Sequence, residues 1–343
     1  MKGLPLHNIA RESKANRIAL FEATSAKMGI HPAIIEKDFW VCVVLDYLFQ
    51  HSPWANRLVF KGGTSLSKSY KLIQRFSEDI DLIIDWTLLG YSLDEPWQTR
   101  SKNKQDAFNM AMDSKAISFI AQTFVPVLRT GLRDWLGGEL DISAEGQNVV
   151  IAYPKTFSLA AIHPLIFLEM GPRARWAPTK TTSIQPYAAE QYPLLFKSPS
   201  TEVLTVVAER TFWEKATILH QEANRSWEKA LPRRYSRHYY DLYLMAQSAI
   251  QEGALSNIAL LADVVEFKQR FYACGWAHFE EALRGSLRLQ PPEYRREELR
   301  QDYTAMREMI FGDKPDFDDI IAALGRLEEQ VNTVIREKNE TAL

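Results

Sequence analysis

Two carboxylates one residue apart, Asp79 and Asp81, sit in the apolar run Asp79-Ile80-Asp81-Leu82-Ile83-Ile84. Strand side chains alternate between faces, so the spacing predicts that Asp79 and Asp81 point one way and Ile80 and Leu82 into a core. At ~3.3 Å per residue their Cα atoms fall about 6–7 Å apart, close enough to share one or two hard cations. Upstream, Leu58-Val59-Phe60-Lys61 reads as a strand that runs into Gly62-Gly63-Thr64-Ser65 and a helix start. A Gly-Gly turn lets a phosphate approach the backbone, the free N–H groups of a following helix favour an anion, and Thr64 and Ser65 add hydroxyl donors. Either half alone is common in turns and solvated strand edges. Together, in this order, they suggest phosphoryl or nucleotidyl transfer. The G-x-x-x-x-G-K-[S/T] phosphate loop is absent.

Further candidates lie on elements that would have to be brought to this stretch. Before it, residues 8–50 read as helices: Ile18, Phe21 and Met28 share a face, and Pro32 opens a second helix to Phe49 that carries Glu36-Lys37-Asp38 in its first turns. That triplet is either a solvated charged turn or a support behind the sheet. After it, Ala107 to Leu136 has helical spacing that Pro126 should kink and Gly137-Gly138 end. Val149 to Pro154 reads as a short β-like run and Pro164 to Gly171 as a buried strand, the second with Glu169 among apolar residues. An acid so placed needs a partner, either a salt bridge to Arg173 or Arg175 or a metal. The Pro-rich stretch 172–200 is the expected domain boundary, giving units 1–200 and 201–343. Arg173, Arg175 and Lys180 there suit either phosphate binding or a solvated loop.

From 201 to 223 a helix is expected, with Phe212, Ala216, Leu219 and Ala223 on one face and Thr211, Lys215 and Glu222 on another. Arg225, Lys229, Arg233, Arg234 and Arg237 interleave with Trp227, Tyr235 and Tyr239. Such a cluster is either a solvated loop or a surface for RNA phosphates and bases. On spacing alone Asp241 reads as the partner of Arg237 one helical turn away. His220 and His238 lack a second nitrogen or sulfur ligand at metal spacing and read as structural. The remaining chain reads as helices, ending in an amphipathic one over 316–334 with Phe317, Ile320, Ile321, Leu324, Leu327 and Val331 on its apolar side.

The 343 residues are 46% hydrophobic and 24% charged, ordinary globular material with room for two domains. A net charge of −2 means that any nucleic-acid contact must use a local basic patch. Cys42 and Cys274 have neither metal nor redox spacing, which suits a reducing compartment. The start lacks an apolar signal core and no run approaches ~18 apolar residues, so a cytoplasmic protein without a membrane segment is expected.

Lys61-Gly62-Gly63-Thr64-Ser65-Leu66-Ser67-Lys68 followed by Arg75-Phe76-Ser77-Glu78-Asp79-Ile80-Asp81-Leu82 resembles the AbiEii-type nucleotidyltransferase toxins of the polymerase-β-like superfamily. The likeness extends to Glu36-Lys37-Asp38-Phe39-Trp40, to Glu209 through His220, and to Arg237 through Tyr243. It implies an α+β fold, a polymerase-β-like mixed sheet with flanking helices followed by a mostly helical lobe, with the active site between them. It implies a nucleoside triphosphate bound at Lys61, Gly62, Gly63, Thr64, Ser65 and Lys68. Mg²⁺ or Mn²⁺ would be held by Asp79 and Asp81, with Glu169 as third carboxylate or as base. Lys215 would be the catalytic lysine, and Asp241 would orient it or a nucleotide group. The implied acceptor is RNA, a tRNA 3′ end, contacted by Arg225, Arg233, Arg234 and Arg237, and the implied partner a separate antitoxin. Two rival readings are transfer to a small-molecule or protein acceptor, and a nucleotide-binding module without turnover.

Overall fold

The computed structural model describes residues 3–77, 79–160, 162–174 and 177–341. Glu78 and Arg175 of the motifs above lie outside them. The chain divides into two compact units, Met1–Tyr70 with Phe76–Val206, and Lys71–Arg75 with Val207–Leu343.

The first unit holds a mixed seven-stranded sheet. Its strands are β1 Leu58–Lys61, β2 Asp79–Ile84, β3 Asp141–Glu145, β4 Asn148–Ala152, β5 Ile166–Gly171, β6 Thr179–Ile184 and β7 Thr201–Val206, in the order β3-β4-β5-β2-β1-β7-β6. β2 lies at the centre, antiparallel to β1 and parallel to β5. Period-two alternation sorts the faces: Phe60, Ile80, Leu82 and Leu168 are all fully buried on one, while Asp79, Asp81 and Glu169 stand on the other.

Pro32 opens the helix Pro32–Asp46, where the imidazole of His31 accepts the Ala33 N–H at 3.2 Å. Every residue from Ala33 to Leu45 is buried, Glu36, Lys37 and Asp38 included. The solvated reading of that charged triplet is therefore overturned. Helices Lys102–Phe119 and Val125–Leu136 are joined by a π-helical turn at Ile120–Phe124. The wider turn accommodates Pro126, which can neither donate to nor pack under an ordinary α-helical turn. Gly137, at φ +66°, ends the run in the left-handed region.

One sequence expectation fails here. Residues 201–206 are the strand β7 and not the start of a helix. Thr201, Val203 and Thr205 alternate with period two and are buried, and β-branched residues at that spacing favour a pleated strand. The division between the units accordingly falls at Val206/Val207, and residues 71–75 go with the later part of the chain.

The second unit is helical. Its central helix Ala208–Ala223 is buried on nearly every side, including Arg210, Thr211, Lys215 and Glu222, so the expected polar face does not exist as a solvated one. Helix Ser236–Met245 packs against it, and Phe317–Thr341 packs in turn on Ser236–Met245, burying Phe317, Ile320, Ile321, Leu324, Leu327 and Val331 as the periodicity predicts and running on to Thr341. The strap 71–75 is stitched in by a bridge between Arg75 and Ile310 and by the Phe311 N–H, which donates to the Gln74 carbonyl at 3.0 Å.

Candidate active site

In the first unit a row of polar side chains crosses the open face of the sheet. Register places Glu169 of β5 and Lys61 of β1 on either side of Asp81, with Asn148 of β4 beyond Glu169. Neighbouring strands lie about 4.8 Å apart, so these groups form a transverse ladder. Asp79 and Asp81 are half-buried and Glu169 is exposed. The premise that Glu169 is an acid trapped among apolar residues is thus corrected: its neighbours Leu168 and Met170 point to the other face. Arg173, one of its two expected salt-bridge partners, forms a two-pronged pair with Asp113 at 2.9 and 3.0 Å. Arg175 is outside the described residues.

The Gly62–Lys68 helix is fixed against β2. Gly62 has φ +77°, and a Cβ there would lie 1.9 Å from Asp81 Oδ2. The Thr64 hydroxyl donates to the Asp79 carbonyl, and the Ser65 hydroxyl to the Gly62 carbonyl at 2.8 Å. The first ties the helix to β2 and the second closes the turn itself. Lys68 departs from its expected role as a phosphate ligand. Its ammonium is buried 2.6 Å from Asp38 Oδ1 and 4.0 Å from the centre of the Tyr187 ring. Burial works against that charge, but the Asp38 carboxylate more than offsets it and holds the lysine above its ordinary value.

The buried triplet fastens the surroundings. Glu36 accepts the N–H groups of Thr156 and Phe157 at 2.8 and 2.9 Å, Lys37 donates to the His163 carbonyl at 2.9 Å, and Asp38 accepts the Tyr187 N–H at 2.7 Å. Each charge grips a different segment, and each finds the partner that a buried ion requires.

Asp79, Asp81 and Glu169 are hard oxygen donors on one face, of the type a divalent cation takes. Asp79 and Asp81 fit such an ion by type and spacing. Among the described residues, however, no group of three His, Cys, Asp or Glu side chains converges as a ready-made metal site. Glu169 has the register of a third ligand without the convergence.

In the second unit Asp241, fully buried, receives two hydrogen bonds from Arg75 at 2.7 and 2.8 Å and one from Lys215 at 2.8 Å. The pair expected with Arg237 gives way to this arrangement. Burial opposes the charge on Asp241, but the two cations hold its carboxyl well below the usual range. Burial lowers Lys215, Asp241 pulls it back up, and Arg75 lowers it again. Lys215 Nζ also lies 3.1 Å from His238 Nδ1, whose imidazole is held well below its ordinary value by burial and then by Lys215 and Arg237. A neutral His238 can accept from the ammonium. Two cations thus share one buried carboxylate here, each hydrogen-bonded to it. Arg75 escaped sequence reasoning although it opens the Arg75-Phe76-Ser77 motif, and His238 was assigned to structure alone.

The basic cluster is mixed. Arg233 and Arg234 are exposed, and Trp227 is 72% exposed. Arg225 pairs with the buried Glu222 at 2.7 Å and lies over Trp276, and Arg237 is half-buried. His220 accepts the Arg288 N–H at 3.0 Å within the core, a structural role.

A mixed sheet with paired carboxylates behind a Gly-Gly turn, followed by a helical unit with a buried lysine–aspartate pair, defines an α+β nucleotidyltransferase. Residues 44–323 match the family described as nucleotidyl transferase AbiEii toxin of type IV toxin–antitoxin systems, and the chain belongs to that family. No curated protein matches it in sequence. Among solved structures, MenT4, a nucleotidyltransferase toxin from Mycobacterium tuberculosis H37Rv, is 16% identical, covers 92% of this chain and 97% of its own, and has a TM-score of 0.43. JHP933 from Helicobacter pylori is 13% identical, with coverage of 90% and 96% and the same TM-score of 0.43. Among the described residues no helix is long and apolar enough to cross a membrane.

Proposed function

We propose that the protein transfers a nucleoside monophosphate from a nucleoside triphosphate to a hydroxyl of RNA, a tRNA 3′ end, acting in the cytoplasm as the toxin countered by a separate antitoxin. The observation that carries this reading is the ladder Glu169–Asp81–Lys61, with Gly62 pressed against Asp81. The acceptor oxygen attacks the α-phosphorus as the bond to the bridging α–β oxygen breaks, and pyrophosphate leaves. Mg²⁺ or Mn²⁺ held by Asp79 and Asp81 supplies charge neutralisation and polarises the phosphate when bound. Glu169, exposed beside Asp81, would take the acceptor proton or complete the metal's ligands. Lys61 offers a cation beside the Gly62-Gly63 turn. In this reading Lys215, fixed by Asp241 and His238, gives its charge to the triphosphate. The exposed Arg233 and Arg234 with Trp227, together with Arg225 and Arg237, favour RNA, since guanidinium groups suit phosphates and an exposed indole suits base stacking.

The test is incubation with total RNA and each labelled nucleoside triphosphate, with sizing of the product. Labelled RNA of tRNA length is expected, lost in Asp81→Ala and reduced when Arg233 and Arg234 are neutralised. Equal pyrophosphate release by wild type and Asp81→Ala would overturn the mechanism.

A further inference from the structure

The carboxylate face of the sheet does not stay polar along its length. Two residues beyond Asp81 on the same face, ~6–7 Å along the strand, Ile83 joins Val59 and Val206 in a buried apolar patch closed over by Ala174. Ile83 and Ala174 of this patch form the apolar floor of a cavity of about 400 Å³ whose walls include Trp86, Trp97 and Leu93, with Asn56 among its lining residues. The volume is that of a small-molecule pocket, ~300–1,000 Å³. The two indoles form a corner, their centroids 6.1 Å apart and their planes at 57°. The corner is held from both sides: Trp86 Nε1 donates to the Pro172 carbonyl at 2.5 Å, and Asp85 at the cavity wall is neutralised by Arg57 at 2.7 Å. Leu93 is 66% exposed, so apolar surface faces solvent there. Asn56, also exposed, offers an amide that can both donate and accept.

We infer that this cleft is a nucleobase pocket, seating the base of either the incoming nucleotide or the acceptor's terminal nucleotide. The inference rests on the nucleotidyl-transfer reading above for its connection to catalysis. Its chemistry comes from the cleft itself: an apolar floor, an aromatic corner for a planar ring, one neutral amide to address a heterocycle's edge, and a neutralised carboxylate. Its position is also right, because a nucleotide with phosphate near Asp81 must place its base a few ångströms away, and the apolar patch begins there. A lipid chain would make no use of the amide.

The experiment uses the full chain and free nucleosides, so that binding is measured apart from turnover. Saturation transfer to the base protons of adenosine, guanosine, cytidine and uridine is recorded for wild type, Trp97→Ala, Trp97→Tyr and Asn56→Ala, with circular dichroism to confirm folding. Trp97→Ala should weaken the best-bound nucleoside about ten-fold or more, Trp97→Tyr should restore most of it, and Asn56→Ala should lower the preference for one base over the others. Equal affinities in wild type and the three variants overturn the pocket, whether or not the protein transfers nucleotides. Steady-state transfer then separates the two sources. A raised KM for the nucleoside triphosphate in Trp97→Ala assigns the pocket to the incoming base, and a raised KM for RNA assigns it to the acceptor. If both KM values are unchanged, the pocket has no part in the reaction and the inference fails, while loss of activity in Asp81→Ala still stands for the carboxylate mechanism.

Discussion

The Asp81 carboxylate occupies the space that a side chain on Gly62 would need: a Cβ built there lies 1.9 Å from Oδ2 and 2.5 Å from Cγ. Gly62 also sits at φ +77°, which L side chains rarely adopt. One glycine thus lets the turn bend and lets the acid close onto it. Gly62→Ala must push Asp81 aside or unwind the turn. Pyrophosphate release should fall by about a hundredfold, as expected when a reacting group is displaced by about 1 Å. Activity within threefold of wild type would show that the contact does not govern the site.

Arg75 and Lys215 converge on Asp241 inside the helical unit. Asp241→Asn would leave two buried cations sharing a neutral amide, at a cost of about 3–5 kcal/mol. Arg75→Ala should cost less, because Lys215 still pairs with the carboxylate. Urea unfolding followed by circular dichroism checks the order. An Asp241→Asn midpoint indistinguishable from wild type would refute a structural role for the cluster.

His238 gives the protein an acid-side weakness. Its folded value is depressed by burial and by Lys215 and Arg237, with Asp241 and Arg75 also acting on it. As pH falls through ~6.5, the unfolded imidazole takes up a proton that the folded one refuses. The stability it contributes is therefore whole above about pH 6.5 and drains away below it, toward the folded value. Between pH 7.5 and 5.5 the melting temperature should drop more in wild type than in His238→Asn. The difference should shrink and not vanish, because burial depresses His220 in the same direction. Parallel melting curves for the two proteins would exclude His238 as the source.

Glu36 holds the backbone at Thr156 and Phe157 by hydrogen bonds of 2.8–3.0 Å. Glu36→Gln removes the charge and one acceptor, at a cost of about 1–3 kcal/mol. Amide exchange at residues 156 and 157 should accelerate before the rest of the first unit changes. Unaltered exchange at those two amides would mean that the loop is held by something else.

The motifs around Asp79 were legible because strand chemistry is local. Alternation alone assigns Ile80 and Leu82 to the core and Asp79 and Asp81 to the open face, and β2 has that arrangement. The Gly-Gly turn and the last helix were legible for the same reason. Thr201–Val206 was misread because a six-residue β-branched alternation next to a strongly helical segment is easily absorbed into it, although its period of two was the signal, and pairing with β1 and β6 makes the separation plain. Lys68 was expected at a phosphate and Glu36-Lys37-Asp38 was left between a solvated turn and a support behind the sheet, because partners up to 149 positions away leave no local signal.

By itself the sequence determined the chemistry on offer: two acids on a strand, a glycine turn before them, and a lysine and an aspartate on later helices. Local geometry suffices for that, since side-chain direction follows from backbone period. The tertiary structure decided which charges are spent on holding the protein together. It committed Lys68 to Asp38 and Arg75 to Asp241, and it put Glu169 beside Asp81. No spacing rule supplies those partners, because burial and strand register are set by contacts between residues far apart in the chain.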